Sequence, residues 1–287
     1  MRGHVPSYEL FNPNTLSEVL DLFAQSNGTW KPFAGGTDLM VLLEAGKLPH
    51  KNYINIWHLD QLRGIEVSEN YVTLGALTTY TEVQQHPILQ SEFPMLCQAA
   101  RETGGIAIQN RGTLGGNIVN ASPAADSPPA LLAYDAELQL ISKGGERHVP
   151  YADFHHGYKQ MDIRPDELLK AVRLPRQAQT LTHYYRKVGT RKAQAISKVC
   201  FAGVAAISGD RITHVRIALG SVAPIPLRCR QTEATLTDQS LNDDVFANAL
   251  RTLTAEVSPI DDIRSTRDYR LKVSLNLLKD FISRLTQ

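Results

Sequence analysis

The chain contains little cysteine, and the cysteines it has are scattered. Its 287 residues include three, Cys97, Cys200 and Cys229, which lie too far apart to form a zinc or iron–sulfur motif. An odd and unclustered set also argues against a disulfide framework. We therefore expect three free, buried thiols, and any redox metal would have to be held by another polypeptide.

Long apolar runs and an excess of charge of either sign are also missing. No run reaches the ~18 apolar residues that a membrane span requires, and residues 1–6 lack the apolar core of a secretory signal. Thirty basic residues against 29 acidic ones leave a net charge of +1, which gives no indication of a nucleic-acid or membrane surface. The composition therefore predicts an ordinary globular protein of the cytoplasm.

Motifs for several common chemistries are absent as well. The chain has neither a Gly-x-x-x-x-Gly-Lys-Ser/Thr phosphate loop nor a Gly-x-Gly-x-x-Gly dinucleotide fingerprint. No Ser–His–Asp or Cys–His arrangement and no general acid–base centre can be assigned. His155 and His156 have no partner at metal-ligand spacing, so we expect a surface or loop pair rather than two ligands.

The chain does have two glycine-rich segments that are well separated in sequence. The first comprises Lys31, Pro32, Phe33, Ala34, Gly35, Gly36, Thr37, Asp38 and Leu39, and the second Arg111, Gly112, Thr113, Leu114, Gly115, Gly116, Asn117 and Ile118. Glycine lets backbone N–H groups approach a ligand closely, and N–H groups that converge form an anion site. Two loops of matched chemistry predict one ligand with two phosphates, held from both sides. Because no catalytic base is found, the ligand itself is expected to be the reactive group.

Each of these features also has a purely structural interpretation. The first segment could be a tight strand-to-helix turn with a good cap and no ligand. Asp126 or Ser127 could cap the helix that Pro128 and Pro129 begin, or Asp126 could accept hydrogen bonds from ribose or ribityl hydroxyls. Lys187, with Arg191 and Lys192 close behind it, could belong to an exposed basic turn. The residues alone leave these alternatives open.

The pattern of apolar residues indicates an α+β fold in three parts. A β–turn–α–β unit over residues 30–57 places the first Gly-Gly pair where the strand changes to a helix. Antiparallel strands are predicted at 137–141, 147–149 and 168–174, after a long loop over 103–129 whose apolar residues indicate order. A three-stranded meander and two helices follow, at 181–188, 196–207, 212–219, 243–256 and 265–285. We place the domains at 1–57, 58–175 and 176–287.

With their flanks, the two glycine-rich segments resemble the signatures of a known family. That family is the FAD-binding, or medium, subunits of molybdenum hydroxylases, which include xanthine dehydrogenase and carbon monoxide dehydrogenase. Within the family, the separate flavin subunit of bacterial xanthine dehydrogenases is the most similar. The resemblance covers essentially the whole chain and is carried by residues 33–38, 113–118, 121–126, 166–169, 185–188 and 191–199.

The resemblance implies a fold and a set of cofactor contacts. A small α/β piece and a larger α+β piece with an antiparallel sheet would hold FAD between them. A C-terminal domain with a three-stranded antiparallel sheet and a helix bundle would reach into the same site. Residues 31–39 would hold the FAD pyrophosphate and residues 113–117 would contact its other side. The remaining implied contacts are Asp126 to a sugar hydroxyl, Leu169 packed on the cofactor, Lys187 from the C-terminal domain, and Ile196 near the isoalloxazine ring.

The mechanism that the resemblance implies is an electron relay among three subunits. A molybdopterin-binding large subunit would hydroxylate the substrate, and a small subunit with [2Fe-2S] clusters would pass the electrons to FAD on this chain. NAD or another acceptor would then take them. The turn at residues 192–195 lacks the acidic side chains of some NAD-using relatives, so the acceptor stays open. The alternatives are a stand-alone flavoprotein oxidoreductase and a nucleotide-binding module without turnover.

Overall fold

The computed structural model describes residues 7–177, 179–191 and 194–285. Its N-terminal part is a small parallel sheet with the strand order β1-β3-β2. The predicted β–turn–α–β unit is present, and one edge strand that the sequence did not indicate is added to it. The elements are β1 (Glu9–Phe11), α1 (Leu16–Ser26), β2 (Trp30–Phe33), α2 (Leu39–Glu44) and β3 (Asn52–Asn55).

The middle part is a five-stranded antiparallel sheet, ordered β4-β5-β10-β6-β7, with short helices packed against it. The three strands predicted from the sequence are its β6, β7 and β10. The strands are β4 (Ile65–Val67), β5 (Tyr71–Gly75), β6 (Glu137–Ser142), β7 (Gly145–Pro150) and β10 (Leu168–Pro175), with a separate hairpin of β8 (His155–Gly157) and β9 (Gln160–Met161). The helices are α3 (Tyr80–Gln85), α4 (Pro87–Glu92), α5 (Pro94–Glu102), α6 (Ile106–Gln109), α7 (Leu114–Val119) and α8 (Ser127–Ala133).

The prediction of one long loop over residues 103–129 is wrong in detail, because that stretch contains α6, α7 and the start of α8. Leu114 and Ile118 are fully buried in the main core and hold α7 in place. Two adjacent glycines mask this helix in the sequence, since glycine has poor intrinsic helix propensity. Tertiary burial therefore overrides the local signal.

The C-terminal part is an antiparallel sheet of four strands, ordered β11-β12-β13-β14. Three strands were expected, and the fourth is a two-residue edge strand too short to leave a sequence pattern. Its strands are β11 (Thr182–Val188), β12 (Val199–Ser208), β13 (Arg211–Gly220) and β14 (Leu227–Arg228). Three helices follow, α9 (Arg230–Leu236), which the sequence did not predict, α10 (Asp243–Glu256) and α11 (Arg267–Arg284).

Strand β12 is buried on both faces, and this explains how the parts fit together. Cys200, Ala202 and Val204 belong to the same core as the middle part, whereas Phe201 and Ala205 pack with the C-terminal helices. The sheet is thereby sandwiched between the α5 and α8 region on one side and α9–α11 on the other. This packing brings the end of β11 and the start of β12 to the N-terminus of α8.

Two expectations drawn from the scarcity of cysteine and of apolar runs can be compared with the structure. All three cysteines are buried and free, as predicted. Within residues 7–177, 179–191 and 194–285, no helix has the length and apolarity to cross a membrane, and no group of His, Cys, Asp and Glu is arranged to hold a metal ion. Expectations that concern residues 1–6, Lys192 and Ala193 lie outside the described residues.

Candidate cofactor site

The first glycine-rich segment is a turn between β2 and α2. Gly36 has a φ of +76°, and a β-carbon on it would lie 2.8 Å from Cζ of Phe33. This left-handed conformation requires glycine in practice. Asp38 occupies the N-cap position of α2, yet its side chain makes no capping hydrogen bond. The interpretation of this segment as a well-capped structural turn is therefore wrong.

The backbone N–H groups of this turn are left for another partner. The amides of Met40 and Leu42 donate to the carbonyls of Gly36 and Asp38, at 2.9 and 3.3 Å. For the N–H groups of residues 35–38, in contrast, the described part of the chain supplies no acceptor. A run of unpaired N–H donors in a glycine-rich turn is the arrangement that binds phosphate oxygens. The residues present therefore fit a diphosphate-containing cofactor.

The second glycine-rich segment uses its N–H groups differently. The amides of Leu114 and Gly115 donate to the carbonyls of Thr78 and Ala76, each at 2.9 Å, and the Gly116 amide donates to the hydroxyl of Thr113. Thr113 is thus the N-cap of α7. The sequence suggested two loops of matched backbone chemistry, but the structure shows a difference. The N–H groups of residues 35–38 have no acceptor among the described residues, whereas those of residues 114–117 are all paired within the chain.

The glycines of the second segment serve close packing and an open surface. A β-carbon on Gly115 would lie 2.7 Å from both the β-carbon and the carbonyl oxygen of Ala76, so α7 packs directly on that backbone. A β-carbon on Gly116 would lie 2.8 Å from the hydroxyl of Thr113, which is too close for a normal contact, and it would meet no other described atom within 4 Å outside its own helix backbone. The Asn117 side-chain carbonyl accepts from the hydroxyl of Ser127 at 2.7 Å, and its NH₂ group donates to no residue that the structure describes.

The two segments meet at their backbones. The position of a β-carbon on Gly35 lies 1.7 Å from the carbonyl oxygen of Arg111, and the Arg111 Nε donates to the Gly35 carbonyl at 3.4 Å. The Arg111 guanidinium also stacks on Trp57, with its central carbon 4.0 Å from the ring centroid. Residues 76 positions apart in sequence thus form one continuous surface.

Asp126 and Lys187 form a buried ion pair across the boundary between the middle and C-terminal sheets. The Lys187 ammonium is 2.7 Å from Oδ2 of Asp126 and also donates to the carbonyl of Glu102 at 2.8 Å. The Lys187 side chain is only 4% exposed and that of Asp126 only 10%. Lys187 is therefore not part of an exposed basic turn. Asp126 stands at the N-cap of α8 but makes no capping hydrogen bond, so the capping interpretation is also wrong.

Burial and its partners act on the Asp126 carboxyl in opposite directions. Burial raises the pKa of Asp126, while the charge and hydrogen bond of Lys187 and a hydrogen bond from Ser197 oppose that rise. The pKa of Asp126 stays above its ordinary value overall. The carboxylate therefore depends on both donors for its charged form.

Leu169 and Ile196 lie in very different surroundings. Leu169 is buried in the main core, on β10. Ile196 is 52% exposed and lies in the turn before β12, not within that strand as the sequence predicted. In the same turn, the Gln194 side chain lies against Gly105. A β-carbon on Gly105 would be only 2.6 Å from Nε2 of Gln194. The structure thus places the 194–196 segment beside the loop that leads into α6.

Lys159 is a residue of this region that the sequence did not reveal. Its ammonium crosses from the β8–β9 hairpin to Asn120, donating to both the backbone and side-chain carbonyls. Burial lowers the pKa of Lys159, and the negative charge of Asp38 opposes that shift. This cation lies between the end of α7 and the first glycine-rich turn. A lysine in a hairpin turn has no sequence signature that could have shown this.

His155 corrects one prediction from the sequence. Its side chain is buried, with Nε2 3.1 Å from the carbonyl oxygen of Ile118, whereas His156 is exposed. Burial lowers the pKa of His155, which favours the neutral ring. The pair is therefore not a surface pair, since one member supports α7 from inside.

Comparisons with known proteins agree along the whole chain. Residues 6–177 match the FAD binding domain in molybdopterin dehydrogenase, and residues 183–285 match the CO dehydrogenase flavoprotein C-terminal domain. The xanthine dehydrogenase FAD-binding subunit of Escherichia coli O157:H7 is 32% identical, covering 94% of this chain and 92% of that protein. The glyceraldehyde dehydrogenase medium chain of Sulfolobus acidocaldarius is 30% identical, covering 93% and 94%.

A solved structure has the same fold. A carbon monoxide dehydrogenase of Hydrogenophaga pseudoflava superposes with a TM-score of 0.91 at 28% identity, over 96% of each chain. The α+β fold predicted from the sequence is thereby confirmed. Fold and family matches together define a flavin subunit of the xanthine dehydrogenase and carbon monoxide dehydrogenase type of oxidoreductase. The chain belongs to the family of FAD-binding domains of molybdopterin dehydrogenases, and FAD is its cofactor.

Proposed function

We propose that this chain is the FAD-binding subunit of a molybdenum-containing hydroxylase in the cytoplasm. Its partners would be a molybdopterin-binding large subunit and a small subunit with [2Fe-2S] clusters. FAD, when bound, supplies the redox chemistry that links those clusters to NAD or another acceptor. The observation that carries the proposal is the turn at residues 35–38, whose N–H groups are unpaired among the described residues and whose backbone contacts the second glycine-rich segment.

In this proposal, the first segment holds the pyrophosphate of FAD. Residues 31–39 place the turn at the end of β2, and the free N–H groups of residues 35–38 donate to phosphate oxygens. Lys159 adds a positive charge close to Asp38. A hydrogen bond from this ammonium to a phosphate oxygen would be charge-assisted, and such bonds are about twice as strong as neutral ones.

The second segment shapes the opposite wall of the site. With the N–H groups of residues 114–117 already used, residues 113–117 would contribute the open surface at Gly116 and the free NH₂ of Asn117. This assignment keeps the segment in the site but changes its role from anion binding to shape and side-chain contact.

The remaining proposed contacts come from three different parts of the fold. Asp126 would use the lone pairs that its two donors leave free to accept from a sugar hydroxyl. The Lys187 ammonium has a third proton that no described residue takes up, and it would donate this to the cofactor. Ile196 would reach the isoalloxazine ring from its exposed turn, and Leu169 would support the site from within the core. Together with residues 31–39, these contacts would draw on all three domains, at 1–57, 58–175 and 176–287.

The direction of electron flow can be tested with the purified, FAD-loaded chain. The protein is reduced anaerobically with dithionite and mixed with NAD, with an artificial dye, or with oxygen. Formation of NADH at a rate comparable to dye reduction supports NAD as the acceptor. Electron transfer to dyes and oxygen without any NADH contradicts it and leaves another acceptor. Reduction of the flavin by a reduced two-cluster [2Fe-2S] protein tests the donor side in the same apparatus.

A further inference from the structure

Ser197 lies where the C-terminal sheet meets the proposed cofactor site. Its side chain is fully buried, and its hydroxyl donates to Oδ1 of Asp126 at 2.5 Å. Lys187 binds the other carboxylate oxygen, Oδ2. The two donors therefore hold different oxygens of the same carboxylate, which fixes the plane of the group as well as its charge.

The backbone of Ser197 is itself anchored from the C-terminal side. Its carbonyl accepts from the hydroxyl of Ser221 at 2.9 Å. Arg270 donates to the carbonyls of Ser221 and Lys198, each at 3.0 Å, and pairs with Asp262 at 2.7 Å. Residues 197 and 198 are thus held by buried hydrogen bonds from the sheet end and from α11.

The two donors to Asp126 contribute different things. An ammonium is a compact charge with little directional preference, so Lys187 alone would neutralise the carboxylate without fixing its orientation. A hydroxyl hydrogen bond is directional and, at a charged acceptor, strong. Tyr185 holds the backbone of the same residue, donating to the Asp126 carbonyl at 3.1 Å. The side-chain orientation of Asp126 is thereby left to Ser197.

We propose that Ser197 is a positioning residue of the FAD site. Its hydroxyl orients the Asp126 carboxylate toward the cofactor, and its anchored backbone holds the turn that carries Ile196. The site is then complete only when the C-terminal sheet is docked against α8. This inference rests on the proposed placement of Asp126 in the FAD site.

Replacement of Ser197 by alanine tests the role. The full chain is freed of FAD and titrated with FAD by flavin fluorescence, and the thermal midpoint of the cofactor-free protein is measured in parallel. Loss of a hydrogen bond to a charged group predicts a dissociation constant for FAD about tenfold higher in S197A. The control is Ser274→Ala, because Ser274 is equally buried and its hydroxyl donates within α11, to the carbonyl of Arg270. S274A should bind FAD within about twofold of wild type.

A double-mutant cycle with Asp126→Asn separates positioning from a general structural effect. If Ser197 acts through Asp126, S197A weakens FAD binding in the wild-type background but adds nothing in D126N. Equal losses in both backgrounds, or an S197A affinity like that of S274A, overturn the inference. If instead D126N binds FAD as wild type does, Asp126 is not in the site, and both this inference and that part of the proposed function fail.

Discussion

The carbonyl oxygen of Arg111 occupies the space that a β-carbon on Gly35 would need, with only 1.7 Å between them. The contact is between two backbones, so no rotation of a side chain could relieve an added methyl group. Glycine at this position is what allows the two glycine-rich segments to touch. The proposed FAD site depends on that contact.

Gly35→Ala is expected to separate the two segments. Overpacking of this kind costs about 1–3 kcal/mol of folding free energy, and the displaced turn should lower FAD affinity at least about tenfold. Thermal melting and fluorescence titration measure the two effects. Gly144→Ala is the matched control, because a β-carbon there makes only an ordinary 3.5 Å contact with Ser142. Wild-type FAD affinity in G35A would contradict the assignment of the first segment.

Gly36→Val is expected to abolish FAD retention. Gly36 has a φ of +76°, and valine there would also press against Phe33. Gly46→Val provides the comparison, since Gly46 has a similar φ of +66° but open space around it. Both variants should lose about 1–2 kcal/mol of stability from the backbone strain. Only G36V should elute from a desalting column without FAD, and stoichiometric FAD in G36V would count against the site.

Lys187→Met is expected to leave the Asp126 carboxylate buried without its cation. Removing one partner of a buried pair costs about 3–5 kcal/mol of unfolding free energy at neutral pH. The pKa of Asp126 is already raised by burial and should rise further without Lys187. A carboxyl whose pKa is raised in the folded state makes the fold less stable as the pH rises through that pKa. As the pH is lowered from neutral to mildly acidic, K187M should therefore regain stability relative to wild type.

Urea unfolding at a series of pH values measures this effect, and FAD titration of the same protein tests the proposed contact. Lys143→Met is the control, because Lys143 makes only a surface pair with Asp21. If the difference in unfolding free energy between K187M and wild type does not change with pH, Asp126 does not carry an unpaired charge in the variant.

Arg147→Met is expected to destabilise the fold without entering the cofactor site. Arg147 binds the buried Glu167 carboxylate through two nitrogens, at 2.6 and 2.8 Å, and also pairs with Asp162. Burial raises the pKa of Glu167, but its hydrogen bonds from Arg147 and from the Arg164 backbone outweigh that and lower it overall. The pair therefore stabilises the fold at pH values above the ordinary carboxyl pKa. This stabilisation is lost as the pH falls through the lowered pKa of Glu167.

The expected loss in R147M is about 3–5 kcal/mol at neutral pH and shrinks below about pH 4. Chemical unfolding across this pH range measures it. Arg164→Met should cost under about 1 kcal/mol, since that side chain is 68% exposed and its nitrogen lies 3.8 Å from Glu167. Equal effects of the two substitutions would mean that the buried arrangement contributes no more than a surface pair.

Local signals in the sequence were enough to predict much of the fold. The Asn242 side chain caps α10 by accepting from the Val245 amide, and that helix has the predicted bounds. Strand β1 and helix α9 were missed. A three-residue strand is too short for a period, and α9 depends on long-range contacts such as the hydrogen bond from the Ile217 amide to Glu233.

The sequence was less informative about the site because its key contacts are long-range. It identified both glycine-rich segments, but not that the Leu114 and Gly115 amides of the second donate to the carbonyls of Thr78 and Ala76. It identified Asp126 and Lys187 separately, but not that they meet across 61 positions. Ser197 and Lys159 have no local signature, since their roles arise from the packing of β12 and of the β8–β9 hairpin.

The most direct test of FAD binding is the visible absorption spectrum of the purified chain before and after incubation with FAD and desalting. Binding at the proposed site predicts the absorption bands of oxidised flavin, with one FAD per chain released on denaturation. A folded chain that remains colourless after incubation with excess FAD would contradict the central claim that these two glycine-rich segments and the Asp126–Lys187 pair form an FAD site.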